Sequence, residues 1–261
     1  MKERLRVWLR GEHNSVVYRF VLLPWRWVRY WLPIALFGGS EMLVWAKLTD
    51  KSILPSIRTM PSAHYMGLGR TFHDYVVSLG LRPGERLLDY GCGPMRAGVH
   101  FAKYLGPGHY VGADTSRSML RRGEFVMTSS DIARKDFHAV RILTAELEEL
   151  EYFTFDWIVC YSSLQYLSDR DFETTIRAFR RILADTGQIV ISVPTENERA
   201  EVRRKRHHYR DQATLERIVS AAGFVMDYSE NADPERGPVG GYLTLHVGSA
   251  ESRPRAVAAR M

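Results

Sequence analysis

The stretch "LLDYGCGPMRAG", residues 87–98, decides how this chain is read. An apolar run ends in an acid, Asp89, and Gly91 and Gly93 follow before a helical pattern begins. In a parallel α/β sheet such a turn lies beyond the carboxyl end of a strand, where glycines let a ligand come close to the backbone. Free amides and the dipole of the next helix favour an anionic group there. A dinucleotide fingerprint would want glycine at position 96, where this chain has Arg96, so the carboxylate of an amino-acid-like cofactor suits the spacing better. Met95 raises a second question, because many glycine-rich cofactor turns carry a third glycine at that place.

Working outward, short apolar runs alternate with helical stretches. The runs are residues 86–90, 109–114, 139–144, 155–161 and 187–193, and helical patterns at 69–80, 94–105, 116–127 and 169–185 accompany them. This alternation predicts an α/β fold: a mostly parallel sheet with helices on both faces. The end of the chain departs from it. After a helix at 211–223, the strands "FVMDYSE" and "GYLTLHVG" are joined by a segment without a helix, so they must pair antiparallel.

Asp114 ends the second run, 25 positions after Asp89 (114 − 89). An acid at that strand tip can accept hydrogen bonds from both hydroxyls of a ribose, or cap the following helix through "DTSRSM". Combined with the glycine turn, the ribose use is favoured. The ordered set "LLDYGCGPMR", "YVGADTS", "AELEEL", "FDWIVCYSSLQYL" and "FRRILADTGQIVISVP", closed by the terminal hairpin, resembles the class I S-adenosylmethionine-dependent methyltransferases over about residues 66–248. The resemblance implies a Rossmann-like methyltransferase fold with a seven-stranded sheet whose last strand is antiparallel. It also implies S-adenosyl-L-methionine as cofactor and S-adenosyl-L-homocysteine as product.

By that resemblance Asp89, Gly91, Gly93 and Arg96 surround the methionine part of the cofactor, and Asp114 with Thr115 holds the ribose. Glu146 and Leu147 fall beside the adenine, or are a surface acid and a core leucine, while Tyr161 and Ser162 face the methionine moiety and the acceptor. An oxygen acceptor also needs a base of suitable pKa. Position alone nominates His64 and Tyr65 before the first helix, Gln165 and Tyr166 after the fourth strand, and His207 and His208 in a basic insertion at 195–210. That insertion, with Arg203, Arg204, Lys205, Arg206 and Arg210, is an anion-binding lid or a solvated helix face. No metal site is expected. Cys160 in an apolar strand and Cys92 in the turn are poor nucleophiles, and no Asn/Asp-Pro-Pro-aromatic stretch follows the fourth strand. These features argue against nucleobase acceptors and for methylation of an oxygen, less so a nitrogen, of a small-molecule, sugar or lipid-linked acceptor.

The 261 residues suit one large domain, with 1–65 as an N-terminal helical extension and 249–261 as a tail. Two cysteines and no disulfide framework point to a reducing cytoplasm. The net charge of +6 is concentrated at the start, where seven Lys/Arg in the first 30 residues are interleaved with Trp8, Trp25 and Trp27. "YWLPIALFGG" is too short to span a bilayer, which takes roughly 20 apolar residues. The segment therefore packs on the domain as an amphipathic helix, or lies on an anionic membrane surface as a peripheral element at the inner face. Two other readings follow from the same features. One is an RNA methyltransferase gripping phosphates with its basic termini. The other is a membrane-associated scaffold whose methyltransferase-like domain, marked by Met95, is inactive.

Overall fold

Residues Leu87–Tyr90 (β1) are buried at all four positions, as an unbroken apolar run in a central strand requires. Parallel partners flank it: Tyr110–Asp114 (β2) on one side and Phe155–Cys160 (β4) on the other. Phe137–Arg141 (β3) pairs with β2, and Leu183–Val193 (β5) pairs with β4, again parallel. Gly237–Val247 (β7) runs antiparallel to both β5 and Phe224–Asp233 (β6). The resulting seven-stranded sheet has the order β3-β2-β1-β4-β5-β7-β6. This is the expected Rossmann-like methyltransferase sheet, with the antiparallel last strand in place.

The structure, a computed structural model, describes residues 41–193, 208, 210–233 and 237–248. The basic start of the chain up to residue 40, His207 with most of the 195–210 insertion, and the 249–261 tail lie outside the described residues. Among the described residues no helix is long and apolar enough to cross a membrane.

Helices cover both faces of the sheet. Glu41–Ile53 (α1), Ala63–Ser78 (α2), Gly98–Tyr104 (α3) and Arg117–Thr128 (α4) precede β3, while Asp169–Ile182 (α5) and Gln212–Ala221 (α6) follow β4 and β5. Phe72, Val76, Phe101, Val126 and Met127 fill the core on one face. Phe172, Ile176, Phe179, Ile218 and Val219 fill it on the other. In α5, Phe172, Ile176 and Phe179 recur at helical spacing, Ser168 caps the first turn, and acids at the start and arginines at the end complement the helix dipole.

Helix α2 begins at Ala63, not at residue 69, so His64 and Tyr65 lie on it, and α3 begins at Gly98, not at 94. Two further boundaries also differ from the sequence reading. Strand β3 starts at Phe137, opposite Tyr110, and stops at Arg141, so "ILT" at 142–144 is loop; there Ile142 N–H donates to the Asp114 carbonyl. Helix α5 ends at Ile182, because "LADTG" already belongs to β5, with Leu183 opposite Phe155. A third finding concerns α1, which is built into the domain: Met42 and Ala46 are buried, and Met42 joins the core around Leu88 and Tyr90.

Helix α2 is drawn tightly onto the turn after β1. Phe72 stacks on Tyr161 at 4.4 Å and meets Phe101 edge-on. A Cβ at Gly69 would lie 2.3 Å from the Arg96 carbonyl oxygen, so only glycine permits this approach. In an isolated helix Gly→Ala is favourable by about 1 kcal/mol. Here Gly69→Ala is expected to lower stability by about 1–3 kcal/mol through overpacking, measured as a reduced midpoint of urea unfolding. An increased midpoint would contradict the close contact.

Candidate cofactor and acceptor site

The turn after β1 needs its glycines for two separate reasons. Gly91 and Gly93 have φ of +71° and +52°, and a Cβ at Gly91 would fall 2.3 Å from that of Ser163. Ser163, after β4, donates to the Tyr90 carbonyl and locks the two loops together. Both Gly91 and Cys92 donate their N–H to the Ala113 carbonyl, which ties the turn to β2.

Met95 also sits in the left-handed region, at φ +56°, yet its side chain is fully buried away from the cavity described below. It fills a slot that three glycines leave open. A Cβ would lie 2.8 Å from its Cγ at Gly123, 3.1 Å from its Cε at Gly112, and 3.0 Å from its Cβ at Gly98. The missing third glycine is therefore offset by glycines in α3, β2 and α4, at the cost of one strained backbone residue.

A cavity of about 550 Å³ opens over this turn. Gly91, Gly93 and Arg96 form one part of its wall, Asp114, Thr115, Met119 and Ile142 another, and Tyr65, Tyr161, Ser162 and Tyr166 a third. Met42 and Thr49 of α1 complete it. Asp114 Oδ2 accepts the Gly93 N–H at 2.9 Å and Oδ1 accepts the Ser116 N–H at 2.8 Å. Each oxygen keeps a further lone pair. Burial raises the Asp114 pKa, against the lowering by these two N–H groups. The Arg96 guanidinium lies between two rings, 4.6 Å from the centre of Tyr65 and 4.2 Å from that of Tyr161. Ser162 holds φ +56° and donates its N–H to Ser192 Oγ at 2.7 Å, one more strained residue at the cavity.

This set of groups fits S-adenosylmethionine: an acid with open acceptor sites for the ribose, the apolar Met119 and Ile142 for a base, and the Arg96 cation beside the glycine turn for a carboxylate. Tyr166, nominated from its place after the fourth strand, does line the cavity, whereas Met119, Ile142, Met42 and Thr49 escaped the sequence reading. Ile142 was hidden because it sits one residue past β3 and looked like strand. Met42 and Thr49 lie on a helix far from any motif.

Several nominated residues are placed elsewhere. Asp89 is buried beneath the turn, not on the cavity wall, and accepts the Tyr110 hydroxyl at 2.9 Å. Glu146 is not on the wall either, because Arg181 of α5 holds both its carboxylate and its carbonyl. Leu147 is fully buried core at φ +59°. His64 is exposed at the start of α2 and lines neither this cavity nor the next. Burial pushes the Cys92 and Cys160 thiols up, which keeps both protonated.

Gln165 and His208 line a second cavity of about 280 Å³, and the His208 N–H donates to the Gln165 carbonyl. Leu164, Phe172, Ile191, Leu215, Met226 and Leu243 make its wall largely apolar. Arg210 gives it a buried cation, held by the Leu167 carbonyl at 2.7 Å and Asp169 at 3.0 Å over the Phe172 ring. The short turn Leu164–Tyr166 walls both cavities. Among the described residues no cluster of His, Cys, Asp or Glu is placed to hold a metal ion.

A family model described as "Methyltransferase domain" matches residues 81–232. The ubiquinone/menaquinone biosynthesis C-methyltransferase UbiE of Vibrio cholerae is 29% identical over 129 residues, 48% of this chain and 47% of that protein. The chain thus spans about half the length of the curated relatives it matches. Among solved structures, the magnesium protoporphyrin IX methyltransferase of Synechocystis, crystallised with S-adenosylhomocysteine, superposes with a TM-score of 0.59 at 16% identity, covering 77% of this chain and 94% of its own. The [4+2]-cyclase SpnF superposes at 0.61, also at 16% identity, covering 79% and 97%.

Burial pushes the Asp89 carboxyl up to about 7; the Tyr110 hydroxyl and Arg96 lower it, and Asp114 raises it. Between the ordinary 3.8 and about 7, folded Asp89 keeps a proton that the unfolded chain releases. Stability contributed here falls as pH rises through that window and levels off above it. Asp89→Asn removes the titration, so its Tm relative to wild type should climb between about pH 4 and about pH 7. Tm profiles that run parallel over that range would contradict this account.

Proposed function

We propose, since the chain belongs to the class I S-adenosylmethionine-dependent methyltransferases, that it methylates a carbon of a small, mostly apolar acceptor seated in the second cavity. The observation that carries this reading is the shared wall: one turn, Leu164–Tyr166, faces the glycine-turn cavity on one side and the apolar cavity on the other. The sequence reading favoured oxygen. Carbon is preferred here because the relatives, matched over just under half of their length, are named as C-methyltransferases.

The cofactor supplies a methyl group already activated on a sulfonium, so the chain has mainly to bind, orient and exclude water. Asp114 would accept the ribose hydroxyls on its open lone pairs, and Met119 and Ile142 would offer the adenine an apolar wall. Arg96 would hold the carboxylate, with Tyr65 and Tyr161 fixing the guanidinium. At the second cavity, Arg210 and Gln165 meet the acceptor's oxygen atoms while the apolar wall takes its ring. His208 would take the proton of an acceptor hydroxyl and make the neighbouring carbon electron-rich; when that carbon takes the methyl in exchange for the S–CH3 bond, the proton lost from it restores the ring and the hydroxyl is reprotonated.

Incubation with methyl-labelled cofactor and a panel of hydroxylated aromatic acceptors, followed by NMR of the product, should place the label on carbon. A label found on oxygen would overturn the choice of atom while leaving the cofactor site standing. Met226→Trp, which fills the second cavity, should raise the acceptor KM by tenfold or more without changing the affinity for S-adenosylhomocysteine; the factor corresponds to about 1.4 kcal/mol. An unchanged acceptor KM would remove the second cavity as the acceptor site.

A further inference from the structure

The loop that presents Asp114 is held from outside the region matched by the family model. Asp50, on α1, turns its carboxylate toward the start of α4. Its Oδ1 accepts the Ser116 hydroxyl at 2.7 Å and the Ser118 N–H at 2.7 Å. Ser116 Oγ in turn accepts the Met119 N–H at 3.1 Å, capping α4, and the Ser116 N–H donates to Asp114 Oδ1. A single carboxylate thus fixes the rotamer of the capping serine whose backbone grips the ribose acid. Arg141 secures the same loop from β3, donating to the Thr115 carbonyl at 3.2 Å.

Asp50 is well suited to this task. Burial would raise its pKa, but the Ser118 and Ser116 hydrogen bonds and the Arg141 charge outweigh that and hold it below the usual value. The carboxylate therefore stays ionised, and its hydrogen bonds are of the stronger, charge-assisted kind. Its neighbours Met42 and Thr49 on the same helix line the cofactor cavity directly, and the Tyr90 hydroxyl contacts Met42 Sδ at 3.9 Å.

We infer that Asp50 is a positioning residue for the cofactor: through Ser116 it sets the Asp114 carboxylate, making α1 a working part of the site. This rests on the S-adenosylmethionine reading of the cavity and extends it to a residue that touches no ligand. Asp50→Ala leaves the Ser116 hydroxyl and Ser118 N–H without their acceptor and lets the loop relax. Asp50→Asn keeps one oxygen acceptor but loses the charge.

The test is calorimetric titration with S-adenosylhomocysteine, alongside steady-state kinetics and thermal unfolding, on the full chain. Asp50→Ala should weaken binding about tenfold, the worth of one charge-assisted hydrogen bond, with Asp50→Asn intermediate. At saturating cofactor, kcat and the acceptor KM should stay within about twofold of wild type. In an Asp114→Asn background the further loss from Asp50→Ala should shrink to about twofold or less, since both changes act on one contact. A full tenfold loss in that background would mean that Asp50 merely anchors α1, and equal binding by wild type and Asp50→Ala would remove the inference altogether. If Asp50→Ala does not fold, wild-type affinity in folded Asp50→Asn, or a full rather than reduced loss from that change in the Asp114→Asn background, counts equally against it. Failure of the wild type itself to bind would instead sink the reading of the cavity.

Discussion

The carboxylate of Asp114 bridges two loops that no strand pairing joins. One oxygen takes the N–H of Gly93, in the turn after β1, and the other the N–H of Ser116, before α4. Those loops carry two parts of the cavity wall, so this bridge sets the distance between the glycine turn with Arg96 and the acid proposed to hold a ribose. The remaining features serve it. Ala113 anchors Gly91 and Cys92 from behind, Ser163 presses on Gly91 from the side, and Asp50 fixes Ser116 from above.

Met95 shows how a departure from a motif is absorbed. The left-handed backbone at this position favours glycine, and a methionine there carries strain. The side chain turns away from the cavity and fills space left by Gly98, Gly112 and Gly123, gaining buried contact in return. A pocket built with an unusual residue is therefore a pocket with altered packing behind it, and its open face is preserved.

Much of this was legible in the sequence, for identifiable reasons. The sheet could be read because its strands are short apolar runs separated by helical periodicity, and the terminal hairpin because its two strands lack a crossover helix. Asp114 and the glycine turn could be found because they depend on local spacing. Glu146 and Leu147 could not be resolved by spacing, since the outcome depended on Arg181, 35 residues further along and a helix away. Gly112 in the middle of a strand and Gly123 in the middle of a helix were signals of close approach. Only the structure shows that what approaches is Met95. Asp50 and Met42 had no local signature, because their role arises from how α1 docks.

Fold alone would not carry the functional conclusion, since a cyclase shares this architecture. What carries it is the family membership together with a cavity whose donors match one cofactor in order. The central claim is that Asp114 and the glycine turn form a working site for that cofactor. The most direct measurement is calorimetric titration of the full chain with S-adenosylmethionine and S-adenosylhomocysteine, with Asp114→Ala in parallel. The account predicts binding of one ligand per chain, weakened by the substitution by at least tenfold, or about 1.4 kcal/mol. A folded wild-type protein that binds neither ligand, or an Asp114→Ala variant that binds as well as wild type, would contradict it.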